Sequence, residues 1–186
     1  FAPGVTSQNI PVSILADSFD ETNETVTVTL TNPSNVTLSD AIGELTITDD
    51  DAAPSISISD ITTPDETGVA RLVTVSLAST SEQSISVDYS TSNGTATATN
   101  DYVADNGTVT FTPGQSSLTI PITIVQDNVD EPNETFTVGL TNPVNASISV
   151  STATITITDD EPTPEMTVAG TSITEAGANL NIAISL

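Results

Sequence analysis

The chain repeats itself. Phe111-Thr-Pro-Gly114 stands 110 residues after Phe1-Ala-Pro-Gly4. Asp127-Asn-Val-Asp-Glu-Pro-Asn-Glu-Thr-Phe-Thr-Val-Gly-Leu-Thr-Asn-Pro143 stands the same distance after Asp17-Ser-Phe-Asp-Glu-Thr-Asn-Glu-Thr-Val-Thr-Val-Thr-Leu-Thr-Asn-Pro33, and Ile157-Thr-Asp-Asp160 after Ile47-Thr-Asp-Asp50. Further on the register slips by one: Glu66 and Gly68 are answered by Glu175 and Gly177. A period of this length is a normal size for one domain, so it sets the frame for everything else. It divides the chain into the second half of one repeat (1–51), a complete repeat (52–161) and the opening of a third (162–186). The junctions Asp49-Asp-Asp-Ala-Ala-Pro54 and Asp159-Asp-Glu-Pro-Thr-Pro164 are short and contain proline, which keeps neighbouring units close. The chain opens in mid-pattern at Phe1 with no signal peptide, and reads as a piece of a longer array.

The complete repeat is built of alternating strands. Seven runs qualify: Ser55–Asp60, Arg71–Leu77, Ser84–Thr91, Gly107–Phe111, Ser117–Val125, Thr135–Thr141 and Ala153–Asp159. Leu118, Ile120, Ile122 and Ile124 share one face with Thr and Ser between them, as do Phe136, Val138 and Leu140, and Ile155 and Ile157. Period 2 with one apolar face marks half-buried antiparallel strands, and seven in one domain predict an all-β, two-sheet sandwich. Asn93-Gly94, Asn106-Gly107 and Pro113-Gly114 are expected turns. Aromatic residues are only 3%, so the core must be built from β-branched side chains. Tyr89 and Tyr102 are expected in the core or at turns.

Charge excludes several functions. Against 25 Asp and Glu there is one basic side chain, Arg71, and the net charge is −24. No basic patch exists to meet nucleic acid phosphates, and anionic membranes are equally poor partners. No apolar run reaches membrane-spanning length. Without Cys or His the usual nucleophile–base pairs are missing, and with few aromatics there is no sugar-stacking cleft for a carboxylate pair. The chain is not expected to be an enzyme.

The acids cluster in places that topology brings together. Glu66 precedes the second strand, Asp101 lies in the long connection before Gly107, Gln126–Glu134 links two strong strands, and Asp159, Asp160 and Glu161 end the last one. In an antiparallel sandwich the loops after odd-numbered strands share a pole, so all four clusters converge. Calcium takes six to eight oxygen ligands from adaptable loops, whereas zinc would want the His or Cys that are missing. The alternative is a solvated acidic surface kept for solubility. Convergence of four clusters with no compensating base favours calcium.

These residues resemble the Calx-β repeat over essentially the whole chain. The marks are Glu66-x-Gly68, Gly94-Thr-Ala96 followed by Asn100-Asp-Tyr102, Gly107-x-Val-x-Phe-x-Pro-Gly114, Asp127-x-x-Asp-Glu-x-x-Glu-x-Phe136 and Ile157-Thr-Asp-Asp160. The resemblance implies a seven-stranded antiparallel immunoglobulin-like sandwich in tandem, with calcium held by loops at one end. It implies ligands at Glu66, Asp101, Asp127, Glu131, Glu134, Asp159, Asp160 and Glu161. In the first, partial copy they fall at Asp17, Glu21, Glu24, Asp49, Asp50 and Asp51, and in the third at Glu175. Two positions depart from the family's calcium sensors. Gln126 (Ala16 in the first copy) replaces an Asp, and Glu161 replaces the last Asp of the closing triplet. Fewer carboxylates imply one or two weaker ions per repeat.

Three roles fit: a calcium-stiffened spacer in a long extracellular adhesin or surface filament, a calcium-sensing regulatory domain of a transporter, or a subunit of a self-assembling extracellular polymer. Near-identical copies and the scarcity of Lys and Arg favour a stalk or polymer outside the cell or at its surface. Expected partners are calcium ions and neighbouring repeats, with lateral self-association or cell-surface ligands as further candidates. Asn-x-Ser/Thr sequons at Asn23, Asn35, Asn93, Asn106, Asn133 and Asn145 carry little weight in so Thr-rich a sequence.

Overall fold

A computed structural model of the chain describes residues 1–170, 172 and 182–185. The strands are β1 (Glu24–Thr29), β2 (Ile42–Ile47), β3 (Ser55–Ile58), β4 (Ile61–Thr62), β5 (Ala70–Leu77), β6 (Ile85–Asn93), β7 (Asn106–Phe111), β8 (Ser117–Thr123), β9 (Glu134–Val144), β10 (Ser147–Val150), β11 (Thr152–Ile157), β12 (Thr167–Val168) and β13 (Ile184–Ser185). Among the described residues there is no helix, and so none long and apolar enough to cross a membrane. Strands β3 to β11 form a sandwich. A four-stranded sheet in the order β10-β3-β5-β8 packs on a five-stranded sheet in the order β4-β11-β9-β6-β7.

The alternation read from the sequence is what fills the space between the sheets. Ile56, Val73, Val75, Ile120 and Ile122 meet Ile85, Val87, Phe111, Phe136, Val138 and Ile155, and all are buried. Each contributes about 1.5–3 kcal/mol by leaving water. Tyr102 is buried too, its ring stacked on Phe136 at a centroid distance of 3.9 Å. Its hydroxyl donates to Asn93 Oδ1 at 2.6 Å, so the buried phenol is satisfied.

Four details differ from the sequence reading. The expected first strand, Ser55–Asp60, is split. β3 pairs with β5 in one sheet, and the chain then crosses to β4, which pairs in parallel with β11 in the other. Asp60 directs the crossing: its carboxylate accepts from the Thr154 amide at 2.7 Å, capping the β11 edge. The spacing from Ile58 to Ile61, three rather than two, is the sequence trace of that switch. Second, β9 runs past Thr141 to Val144 and leads into β10, which pairs in parallel with β3; the sandwich is thus antiparallel except at these two edges. Asn142, at the register shift within β9, and Asn145, in the link to β10, adopt left-handed backbone (φ 51 and 56), which Asn tolerates. Third, Asn106-Gly107 is not a turn but the start of β7. Gly107 is there because the Tyr89 ring lies over it, and a Cβ would sit 3.0 Å from Tyr89 Cε1. Finally, Glu24 and Glu134 are not in the loops but open β1 and β9.

The partial first copy shows what strand partners supply. β1 and β2 pair in the same register as β9 and β11: Glu24 faces Ile47 as Glu134 faces Ile157. The segment matching β8, however, forms no strand in residues 7–13. In the complete repeat β5 is the one strand that β8 pairs with, at a sheet edge, and residues 1–51 contain no counterpart of β5. Ile10, Val12, Ile14 and Leu15 consequently stay exposed.

Gly94 controls the connection that carries Asp101. Its amide donates to Ala96 O at 3.1 Å, and the Ala96 amide to Thr135 O at 3.0 Å. A Cβ on Gly94 would collide with the Thr135 carbonyl. Gly94→Ala is therefore expected to destabilise the repeat by about 1–3 kcal/mol, since backbone must move to relieve the clash. Chemical denaturation reads this directly; an unchanged midpoint would show that the approach is not tight.

Candidate metal centre

The connections β4–β5, β6–β7 and β8–β9 and the segment after β11 do share a pole, and hydrogen bonds to main-chain amides and carbonyls fix them there. In the β6–β7 connection Asp101 N donates to Thr97 O at 3.1 Å, and Asp101 Oδ2 accepts from the Thr97 amide at 2.6 Å. Asp101 O accepts from Val125 N, and Val103 N donates to Thr123 O, both at 2.9 Å. Tyr102, buried between them, anchors the turn to the core. These bonds tie the Asp101 turn to the start of the β8–β9 loop.

Across that junction Asp101, Glu131 and Glu134 each bring a carboxylate oxygen to within 4.8 Å of the others. The Glu131 main chain is held in turn: its amide donates to Asp159 Oδ1 at 3.1 Å. Asp127 Oδ1 accepts from the Val129 amide at 2.7 Å and shapes the loop's first turn. Asp159 N donates to Asn133 Oδ1 at 3.3 Å, binding the closing triplet to the same loop. On the far side Glu66 N donates to Asp160 Oδ1 at 3.2 Å. These bonds bring the segments that carry Glu66, Asp101, Asp127, Glu131, Asp159 and Asp160 to one pole, with Glu134 beside Asp101 and Glu161 beside Asp160.

The electrostatics are those of uncompensated negative charge. Glu66 is only 8% exposed, and its carboxyl is pushed up to about 7 by burial, then by Glu161, Asp127, Asp159 and Glu131. Glu131 is raised by burial, then by Asp127, Asp101 and Asp159; Glu134 by burial, then by Asp101 and Glu131. Glu161 is raised by burial, then by Asp160 and Asp159, and its Oε2 is buried without a hydrogen-bond partner in the protein. Arg71 gives no relief, for its guanidinium pairs with Asp65 and also reaches Thr67 Oγ1 at 3.1 Å.

The first copy rebuilds the same pole. Asp17, Glu21, Glu24, Asp49, Asp50 and Asp51 line one cleft. Asp17 Oδ1 accepts from Phe19 N at 3.0 Å, and Asp49 N donates to Asn23 Oδ1 at 3.1 Å, matching the Asp127 and Asp159 bonds of the second. Glu21 is raised by burial, then by Asp17, Glu82 and Glu24, and Asp51 by burial, then by Asp50 and Asp49. Glu175, expected in the third copy, lies outside the described residues. Gln126 is exposed, beside the cluster but without a charge to add. Two acids escaped the sequence reading: Glu82, which comes from the following repeat to face Glu21, and Asp20, which is buried. Asp20 recurs as Asp130, and that recurrence outside the ligand pattern was the available signal.

Sandwich and acidic pole together define a tandem β-sandwich module of the calcium-binding-domain type. The chain belongs to the Calx-beta domain family, which matches residues 1–51 and again 49–161. Sodium/calcium exchanger 1 of Mus musculus is 43% identical over 56 residues, 30% of this chain and 6% of the exchanger. Sodium/calcium exchanger Calx of Drosophila melanogaster is 40% identical over 58 residues, 31% of this chain and 6% of its own length. The chain thus spans a small fraction of these relatives. Among solved structures, the apo form of the Calx CBD1 domain matches with TM-score 0.54 and 28% identity over 58% of this chain and 98% of that one. The calcium binding domain CBD12 of CALX1.1 matches with TM-score 0.55 and 28% identity, covering 65% of this chain and 53% of the other.

A raised carboxyl pKa has a defined sign. The folded state holds the Glu66 proton more tightly than the unfolded chain, whose carboxyl titrates near 4.5. Its contribution is therefore fully favourable below 4.5 and is lost as pH rises to about 7. In chelator, stability is expected to fall across that window, and Glu66→Gln to flatten the fall. Melting curves from pH 4 to 8 check this; an unchanged slope in the variant would assign the dependence to other acids.

Proposed function

We propose that the chain is a calcium-binding module of tandem repeats, with ions held at the acidic pole of each repeat. The observation that carries this reading is Glu66: a residue 8% exposed whose carboxyl meets four other acids, in a chain whose one basic side chain is paired elsewhere. The donors are oxygen only, several are carboxylates, and they come from separate loops, which suits calcium better than magnesium or zinc. Asp101, Glu131 and Glu134 would form one part of the site, and Glu66, Asp127, Asp159, Asp160 and Glu161 the other. An ion held there would supply positive charge against the repulsion among these carboxylates, and the buried Glu161 Oε2 has no hydrogen-bond partner in the protein to compete for it. No catalytic role is proposed, for the pole has neither nucleophile nor base beyond its carboxylates.

Regulatory calcium sensing is the better supported of the roles. The relatives at 40% identity or more are sodium/calcium exchangers, and the similar structures are named calcium-binding domains of CALX. The spacer reading rests on the near-identical copies and on the closing acids beside each linker, and an extracellular or cell-surface setting rests on composition alone.

An ion that binds only the folded state adds RT ln(1 + [L]/Kd), about 2.7 kcal/mol at a hundredfold excess over Kd. Calcium should accordingly raise the melting midpoint relative to chelator. Asp127→Asn and Asp160→Asn should each reduce that rise. Asp88→Asn should not, because Asp88 is taken up on the sheet by Thr108 Oγ1 at 2.7 Å and Asn142 Nδ2 at 3.0 Å. An equal midpoint with and without calcium would remove the metal from the function. Small-angle scattering then divides the roles. A maximum dimension that grows with calcium supports a stiffened spacer, a more compact form supports a sensor, and equal dimensions would confine the ions to work within one repeat.

A further inference from the structure

Asp20 is the one buried residue in positions 1–51. It belongs to the acidic loop of the first copy, yet its carboxylate is bonded to side chains of the next repeat. A buried carboxylate is costly unless hydrogen bonds replace its water, and here every donor comes from the next repeat. The Ser81 hydroxyl lies 2.9 Å from both Asp20 O and Asp20 Oδ2, Gln83 Nε2 donates to Oδ2 at 3.3 Å, and Glu82 N donates to Asp20 O at 3.1 Å. Asp20 and Ser81 form a parallel β-bridge. The receiving surface is itself fixed: Ser81 O accepts from Gly114 N at 3.0 Å, and Ser81 Oγ accepts from Gln83 N at 2.9 Å. Phe19 lines a cleft with Ser81, Glu82, Pro113 and Gly114 beside this contact. This is the pole of the second sandwich opposite its own acids.

We propose that Asp20 is a docking residue rather than a cation ligand, and that Val129-Asp130 is the same docking surface on the complete repeat. Asp130 occupies the equivalent position in the equivalent loop and is exposed, as is Val129 at 55% against 42% for Phe19. Its occupant is the pole of a following repeat that carries the counterparts of Ser81 and Gln83. The partner is defined by chemistry: a serine hydroxyl, a glutamine amide and a free main-chain amide, set on a Pro-Gly turn. The contact uses none of the acids assigned to the cation cluster, so loss of the contact and loss of calcium binding can be read separately.

The test is amide hydrogen exchange on the 186-residue chain in chelator. Asp20→Ala should speed exchange at the Glu82 amide by about tenfold, the loss expected of one charge-assisted hydrogen bond. Val73 and Ile122 in the core should be unaffected, and Asp20→Asn, which keeps an acceptor, should lie between. In this chain Asp130→Ala should leave Glu82 unchanged; in a chain continued through a complete third repeat it should reproduce the effect at the counterpart of Glu82. Calcium titration is the second arm, and Asp20→Ala should bind as the parent does. The proposal is overturned by unchanged exchange at Glu82, by silence of Asp130→Ala in the longer chain, or by loss of calcium binding in Asp20→Ala equal to that in Asp17→Asn.

Discussion

Repulsion among carboxylates at one pole is the interaction around which this molecule is organised. Two unit charges 4 Å apart repel by about 4 kcal/mol at an effective dielectric constant of 20, so a cluster of them rivals the whole stability of a small domain. The sandwich withstands this because the loops are pinned by main-chain bonds. Val125 N to Asp101 O and Val103 N to Thr123 O hold the Asp101 turn against the next loop whatever the protonation of the acids. Behind those bonds stands the Tyr102–Phe136 stack, which ties the Asp101 turn to β9. The core thus resists the cost of the site, and the site leaves the core intact when its charge changes.

Within the cluster the acids are not equivalent. Glu66 is enclosed and Glu161 has a buried oxygen without a partner, whereas Asp160 is exposed and uses an oxygen to fix the Glu66 main chain. Burial raises the cost of charge on the first two, and solvent lowers it for the third. Charge entering the pole is consequently felt most at Glu66, which sits at the start of the edge leading into β5. The single base is no help there. Arg71 lies on β5 itself but is spent on Asp65, where the hydrogen bonds of Thr67 and the guanidinium hold the carboxyl below its ordinary value.

Much of this was legible in the sequence, and the reason is parity. Period-2 alternation fixes which face is buried, and strand parity fixes which loops share a pole, so Glu66, Asp101, Asp127 and Asp159 could be brought together without coordinates. The parts that escaped depend on single contacts. Asp60 breaks the first strand by capping Thr154, which no periodicity announces beyond one odd spacing. Gly107 looks like a turn residue but is small because Tyr89 covers it. Glu134 reads as loop because it is acidic, although its main chain already belongs to β9. Asp20 differs: its recurrence as Asp130 marks the position, but its partners, Ser81 and Gln83, carry no motif, and only the placement of one repeat on the next reveals them.

That placement makes the joint a balance of opposite effects. Asp20 draws the first copy's loop onto the second sandwich through neutral donors, while Glu21, the adjacent residue, faces Glu82 of that sandwich with like charge. Asp49 to Asp51 run directly into Ala52-Ala53-Pro54 and then β3, so the covalent link leaves from the same acidic cleft. With the cleft fully charged, repulsion between Glu21 and Glu82 opposes the docking bonds; with its charge neutralised, those bonds act unopposed. Salt discriminates between the two components. Screening over a Debye length of about 8 Å weakens the exposed repulsion but scarcely touches the buried Asp20–Ser81 contact, so ionic strength and any bound cation push the joint the same way, towards the docked arrangement.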